Sequence, residues 1–228
     1  MAERDLRGTQ PAAGRRTPGG LATLTPAHVR RVKVLVWILA LLPFLRLMYL
    51  GATSQFGANP LEFVTRSTGT WTLVMLCMTL AVTPLRRLTG WNWLQRLRRM
   101  LGLFTFFYAV QHFLLWLAVD RGFDVAYMIK DIGKRPFITV GFAAFVLMVP
   151  LAATSMNVMV RWLGGKRWQA LHRSIYAIAV LAILHYWWHK AGKNDFGEVS
   201  IYAAVVFVLL GMRLWWWARR PRTAEQAG

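Results

Sequence analysis

The sequence predicts an all-α fold, an integral membrane bundle of six helices, on three observations. Hydrophobic residues make up 56% of its 228 positions, they gather into runs approaching membrane length, and the basic residues cluster between those runs. A helix needs roughly 20 apolar residues to cross a hydrocarbon layer of about 30 Å. Six stretches come near that length, at 34–50, 70–84, 100–119, 136–153, 169–188 and 199–217. A segment in lipid must satisfy its own backbone hydrogen bonds, and no β-barrel alternation is present, so all six are expected as helices.

Residues 1–33 are polar and rich in Pro, Gly, Arg and Ala, and are expected to form a disordered cytoplasmic tail. Arg30-Arg31 before an apolar run resembles a twin-arginine export signal. The run from Val34 to Leu50 is too long for a signal core and further spans follow, so an uncleaved first helix is the better reading. Arg46 lies inside it, to be accommodated by snorkelling or by a salt bridge. The second run is short and is expected to extend outward through Thr68 and Gly69. Residues 34–217 then form one membrane domain, and 218–228 a cytoplasmic C-terminal tail. Trp91, Trp93, Trp162, Trp168 and Trp215–Trp217 fall near helix ends, where amphipathic rings anchor at the membrane–water interface.

The formal charge of +19 raises the question of nucleic acid. The basic residues flank apolar segments instead of forming one patch, so no nucleic-acid partner is expected. Retention of Lys and Arg in cytoplasmic loops explains the excess. With the N-terminus inside, 20 of the 28 basic residues fall on the cytoplasmic side and six of the nine acids outside. Both termini are therefore expected in the cytoplasm of a bacterial inner membrane, with lipid as the surrounding partner. The single cysteine, Cys77, excludes an intramolecular disulfide and any cysteine-rich zinc or iron–sulfur site.

The histidines carry the chemistry. His28 belongs to the tail, His112 to the third helix, His172 and His185 to the fifth, and His189 follows at its external end. A polar side chain at membrane depth is costly and marks a functional site by default. Three readings compete: interhelical hydrogen bonding, a proton path, or ligation of a metal or haem. His172 and His185 are 13 residues apart. On one helix that is a rise of about 20 Å with an offset of about 140°, suiting two levels of a bundle. By depth, His112 pairs with His185 towards the external face, one imidazole on each side of a porphyrin. Opposite His172 stand Arg98 and Arg99, poor iron ligands but good partners for a propionate, a phosphate or a lipid headgroup. His189, with no acid or cysteine beside it, reads as interfacial in preference to a zinc ligand, and stays an alternate haem ligand.

These residues sit in a recognisable series. Ala81-Val-Thr-Pro-Leu-Arg86 is followed by Arg98-Arg-Met-Leu-Gly-Leu103, Tyr108 and His112. Then come Lys134-Arg-Pro-Phe-Ile138, Pro150-Leu-Ala-Ala-Thr-Ser155, Trp168-Gln-Ala-Leu-His-Arg173 and His185-Tyr-Trp-Trp-His-Lys190. In order and spacing the series resembles the MsrQ (YedZ) family, over roughly residues 30–217. That family groups with ferric reductase and NADPH oxidase transmembrane domains. The resemblance implies haem b, one or two per chain, held by His112, His172 and His185, with only one histidine in the third helix where two-haem relatives carry two. It also implies FMN as a cofactor and electrons from the quinone pool or a cytosolic flavin reductase. Their destination would be MsrP, a periplasmic molybdopterin enzyme that reduces methionine sulfoxide.

No Gly-x-Gly-x-x-Gly fingerprint or second domain is present, so electrons are expected from another protein or a membrane carrier rather than from NAD(P)H bound by this chain. The chain is thus expected to be an electron-transfer subunit with no catalytic residues of its own. A ferric reductase-like subunit serving another acceptor is the alternative. A transporter or proton channel is the rival from another class, disfavoured because the helix interiors lack the acids that proton relays use. Outer-loop Asp120, Asp124, Asp131 and Asp195 would help dock a partner, or be solvated loop charges.

Overall fold

Residues 24–120, 122–192 and 194–219 are described by a computed structural model. Most of the expected tail, residues 1–23, and the last stretch, 220–228, lie outside them. Six long helices are present: α1 (Pro26–Ala52), α2 (Pro60–Thr89), α3 (Arg98–Leu114), α5 (Pro136–Ala153), α8 (Ile175–Ala191) and α9 (Gly197–Ala218). Three short ones join them: α4 (Val125–Lys134), α6 (Asn157–Leu163) and α7 (Gly165–His172). No strand occurs among the described residues. Five of the long helices have both the length and the hydropathy to cross a membrane. The sixth, α8, has 17 residues, the lower limit for a span.

Local chemistry sets the ends. Thr25 caps α1, accepting a bond from the His28 N–H at 3.4 Å, and Pro26 takes the first position, where its missing N–H costs nothing. The helix therefore starts about two turns before the apolar run, and residues 26–33, expected in the tail, belong to it. Asn59 and Pro60 do the same for α2, which begins well before the expected extension at Thr68. Gly90, at φ 75°, closes α2 in the left-handed region. Past His112, α3 loosens into a π-helical turn over Leu115–Asp120.

The expected fifth helix needs a correction. It breaks at Arg173-Ser174, so His172 ends α7 while His185 lies in α8. The Ser174 hydroxyl donates to the Leu171 carbonyl at 2.8 Å and the Ser174 N–H to the same carbonyl at 3.1 Å, closing a tight turn where a straight helix would continue. The 140° offset between the two histidines consequently has no meaning, since they share no helix.

Helices α2, α3, α5, α8 and α9 close into a ring, each packed on the next, with α9 returning to α2. One core cluster fills it, built on Leu73, Leu76 and Leu80 of α2, Met148 of α5, Ile178 of α8 and Val206 of α9. α1 stands outside, on α2 and α3, where a second cluster runs from Ala40 through Met75 to Phe104 and Tyr108. The fully buried Tyr108 donates to the Ala40 carbonyl at 2.6 Å, fastening α1 to α3.

Candidate functional site

α3 and α8 do not pack side by side; they face each other across the ring. From them His112 and His185 approach until their ring centroids are 6.1 Å apart, with the planes at 81°. Each imidazole is held by the helix beside its own. His112 Nδ1 bonds the Thr65 carbonyl of α2 at 3.0 Å, and His185 Nδ1 bonds the Phe137 carbonyl of α5 at 2.7 Å. Four residues beyond each carbonyl stands a glycine, Gly69 on α2 and Gly141 on α5. Residues i and i+4 share a helix face, so each carbonyl and glycine form one shelf. A Cβ at Gly69 would lie 3.1 Å from the His112 ring, and one at Gly141 would lie 2.6 Å from His185 Nδ1. The same cradle is built twice.

The cradles have a chemical result. A carbonyl only accepts, so each Nδ1 carries the proton and each Nε2 keeps its lone pair. Thr68, a turn from Thr65, adds its hydroxyl 3.5 Å from His112 Nδ1. This second-shell pattern fixes the tautomer and orientation of metal-ligating histidines. The spacing also suits one ion between the rings. Two metal–nitrogen bonds of about 2 Å, plus about 1 Å from each nitrogen to its ring centre, give about 6 Å. Among the described residues no three His, Cys, Asp or Glu side chains come together as a metal cluster. A zinc site takes three or four protein ligands, whereas haem iron takes two axial ones. The donor set therefore fits haem. Phe113 and Phe145, stacked with centroids 4.5 Å apart, and Phe106 against Phe145 seal α3 to α5 beside it.

His172 is held differently. Its Nδ1 bonds the Trp168 carbonyl of its own helix at 3.1 Å, and the Trp168 ring stacks on it with centroids 3.9 Å apart. Burial pulls its pKa below the usual histidine value. The carbonyls of Trp168 and Leu151 oppose that shift and the Arg98 charge adds to it. Of the two arginines expected opposite His172, Arg98 is the one whose charge acts on it. Arg99 donates to Asn157 Oδ1 at 2.9 Å. Trp168, expected as an interfacial anchor, donates its indole N–H to the Thr154 carbonyl at 2.9 Å. His189 lies against Phe137, with ring centroids 5.6 Å apart.

Other expectations resolve locally. Asp124 caps α4, Asp131 is buried against Arg135 at 2.9 Å, and Asp195 pairs with the buried Lys190. The side chain of Asp120 lies outside the described residues. Arg46 rests over the Phe63 ring, 5.7 Å from its centroid. Sequence reasoning missed Gly69, Gly141 and the two carbonyls. A lone glycine within an apolar run, marking close approach of another group, was the available signal for Gly141.

Residues 68–183 match the family described as ferric reductase like transmembrane component. The chain is 72% identical over 205 residues to the protein-methionine-sulfoxide reductase heme-binding subunit MsrQ of Ralstonia nicotianae, covering 90% of this chain and 94% of that one. It is 60% identical to the subunit of the same name from Herminiimonas arsenicoxydans, with the same coverage. The Bordetella pertussis subunit is 60% identical over 87% of this chain and 97% of its own. No solved structure matches.

Proposed function

The chain belongs to the MsrQ family of haem-binding membrane subunits, and we propose on that footing that it carries electrons through a single haem b held between His112 and His185. The supporting observation is the pair itself: two facing imidazoles, each with Nδ1 on a neighbouring helix's carbonyl and Nε2 left for iron. Haem b supplies one-electron chemistry between ferric and ferrous iron. The chain's own residues do the rest. Thr65, Phe137 and Thr68 hold the ring protons, Gly69 and Gly141 set ring position, and the phenylalanines between α3 and α5 keep water from the site.

On this reading the quinone pool or a reduced flavin supplies the electrons, and an MsrP-type periplasmic reductase of methionine sulfoxide accepts them. The excess of basic residues on one side supports an inner-membrane orientation with both termini cytoplasmic. Arg98 and His172, at the inner end, suit a carboxylate or phosphate group of a cofactor such as FMN. The Trp168 ring stacked on His172, with centroids 3.9 Å apart, and the nearby Arg98 charge support this role over ligation of a second haem.

A reduced-minus-oxidised spectrum of the purified protein tests the central reading, and absence of b-type haem bands sinks it. Haem content is expected at one per chain, lost in His112→Ala and His185→Ala and kept in His172→Ala and His189→Ala. Loss in His189→Ala with retention in His185→Ala would reassign the ligand. Reconstitution with an MsrP-type reductase and a quinol tests donor and acceptor.

A further inference from the structure

We propose that the groove between α1 and α3 binds an anionic phospholipid from the leaflet on the N-terminal side of the bundle. A cavity of about 510 Å³ lies there, outside the ring and away from both histidine sites. Its lining is graded. At one end stand three cations, Lys33 of α1, Arg96 just before α3 and Arg99 at its first turn, and among the described residues no acid lines the cavity. Below Lys33, α1 contributes Trp37 and Leu41, and below Arg99, α3 contributes Leu103 and Phe107. Successive positions in each row are four residues apart and so lie on one helix face. α1 and α3 both enter the membrane from this side, so the rows descend together for about 12 Å, eight residues at 1.5 Å each.

That polarity selects the occupant. A soluble anion would use the three cations and gain nothing from the apolar rows. A neutral ring or hydrocarbon would use the rows and gain nothing from the cations. A lipid with a net negative headgroup uses both, its phosphate at the rim and an acyl chain along Trp37, Leu41 and Phe107. Basic pockets between transmembrane helices bind acidic headgroups in this way. Arg99 is held in place by Asn157, at the start of α6. Trp37 and Leu103 are 49% and 39% exposed, so the groove opens sideways to the bilayer.

The test uses the full chain, purified in mild detergent and stripped of lipid, then titrated with dioleoyl phosphatidylglycerol or dioleoyl phosphatidylcholine and read by native mass spectrometry. One phosphatidylglycerol is expected to stay bound where phosphatidylcholine is lost. Lys33→Gln and Arg96→Gln should each weaken it about fivefold, the effect of roughly one cation near a headgroup. Trp37→Ala should weaken it with the charges intact, and Arg161→Gln, on α6 outside the cavity, should leave it unchanged. Circular dichroism and gel filtration establish that each variant is folded. Equal retention of the two lipids overturns the proposal, as does an equal loss in Arg161→Gln, which would mark a general basic surface. Displacement by millimolar inorganic phosphate would make the apolar rows idle and overturn it too.

Discussion

Gly141 and Gly69 leave the imidazoles the room they occupy. A methyl group at Gly141 would stand 2.6 Å from His185 Nδ1, and one at Gly69 would stand 3.1 Å from the nearest His112 carbon. The first distance forces the ring off the Phe137 carbonyl, while the second asks for a few tenths of an ångström. Overpacking of this kind costs about 1–3 kcal/mol. Gly141→Ala is therefore expected to lower haem affinity tenfold or more, with Gly69→Ala milder, in haem titrations of the apoprotein. Full affinity in both variants would leave the cradles without a role. At this scale the sequence was half legible. His112 and His185 stood out because a polar ring in an apolar run is rare. Their partners are backbone carbonyls, which every residue has, so nothing in the letters Thr65 or Phe137 advertises them.

Helix α2 contains Pro84, which has no N–H for the Leu80 carbonyl one turn back. Arg213 of α9 supplies the missing donor, bonding that carbonyl through Nη2 while Nη1 holds Leu209 at 2.8 Å. A proline-freed carbonyl inside a membrane protein needs such a partner. Arg213→Leu is expected to destabilise the bundle by about 1–3 kcal/mol, the cost of an unmet buried acceptor. Pro84→Ala restores a backbone donor, so Arg213→Leu should cost less in the Pro84→Ala background. Additive losses in thermal unfolding would break the link. A comparable tie joins α5 to α7. Trp168→Phe keeps the stack on His172 but removes the bond to Thr154, with an expected loss of about 0.5–1.5 kcal/mol. Six long helices were legible from hydropathy, five of them with the length and apolarity that lipid imposes on a span. The break between α7 and α8 was not, since an apolar run reads alike across a turn, and only Ser174 bonding back to Leu171 distinguishes it.

The orientation of the whole bundle is open to a clean experiment because Cys77, its only cysteine, is partly buried within α2. In a Cys77→Ser background, Gln55→Cys between α1 and α2 should react with a membrane-impermeant maleimide on intact spheroplasts. Gln95→Cys, before α3, should react only after permeabilisation. The reverse pattern would invert the topology and move the His112–His185 pair to the cytoplasmic half.

The Tyr108–Ala40 bond joins residues 68 apart in the chain, and that distance becomes time during synthesis. At about 5–20 residues per second, α1 leaves the ribosome roughly 3–14 s before Tyr108 exists to receive it. For that interval α1 must remain in the bilayer with only α2 to pack on. Its most apolar 18 residues have a mean hydropathy of 2.1, equal to that of α5, which lets it do so. The bond to α3 can form only once α2 has crossed and α3 has followed, so the seating of α1 waits on the two helices after it.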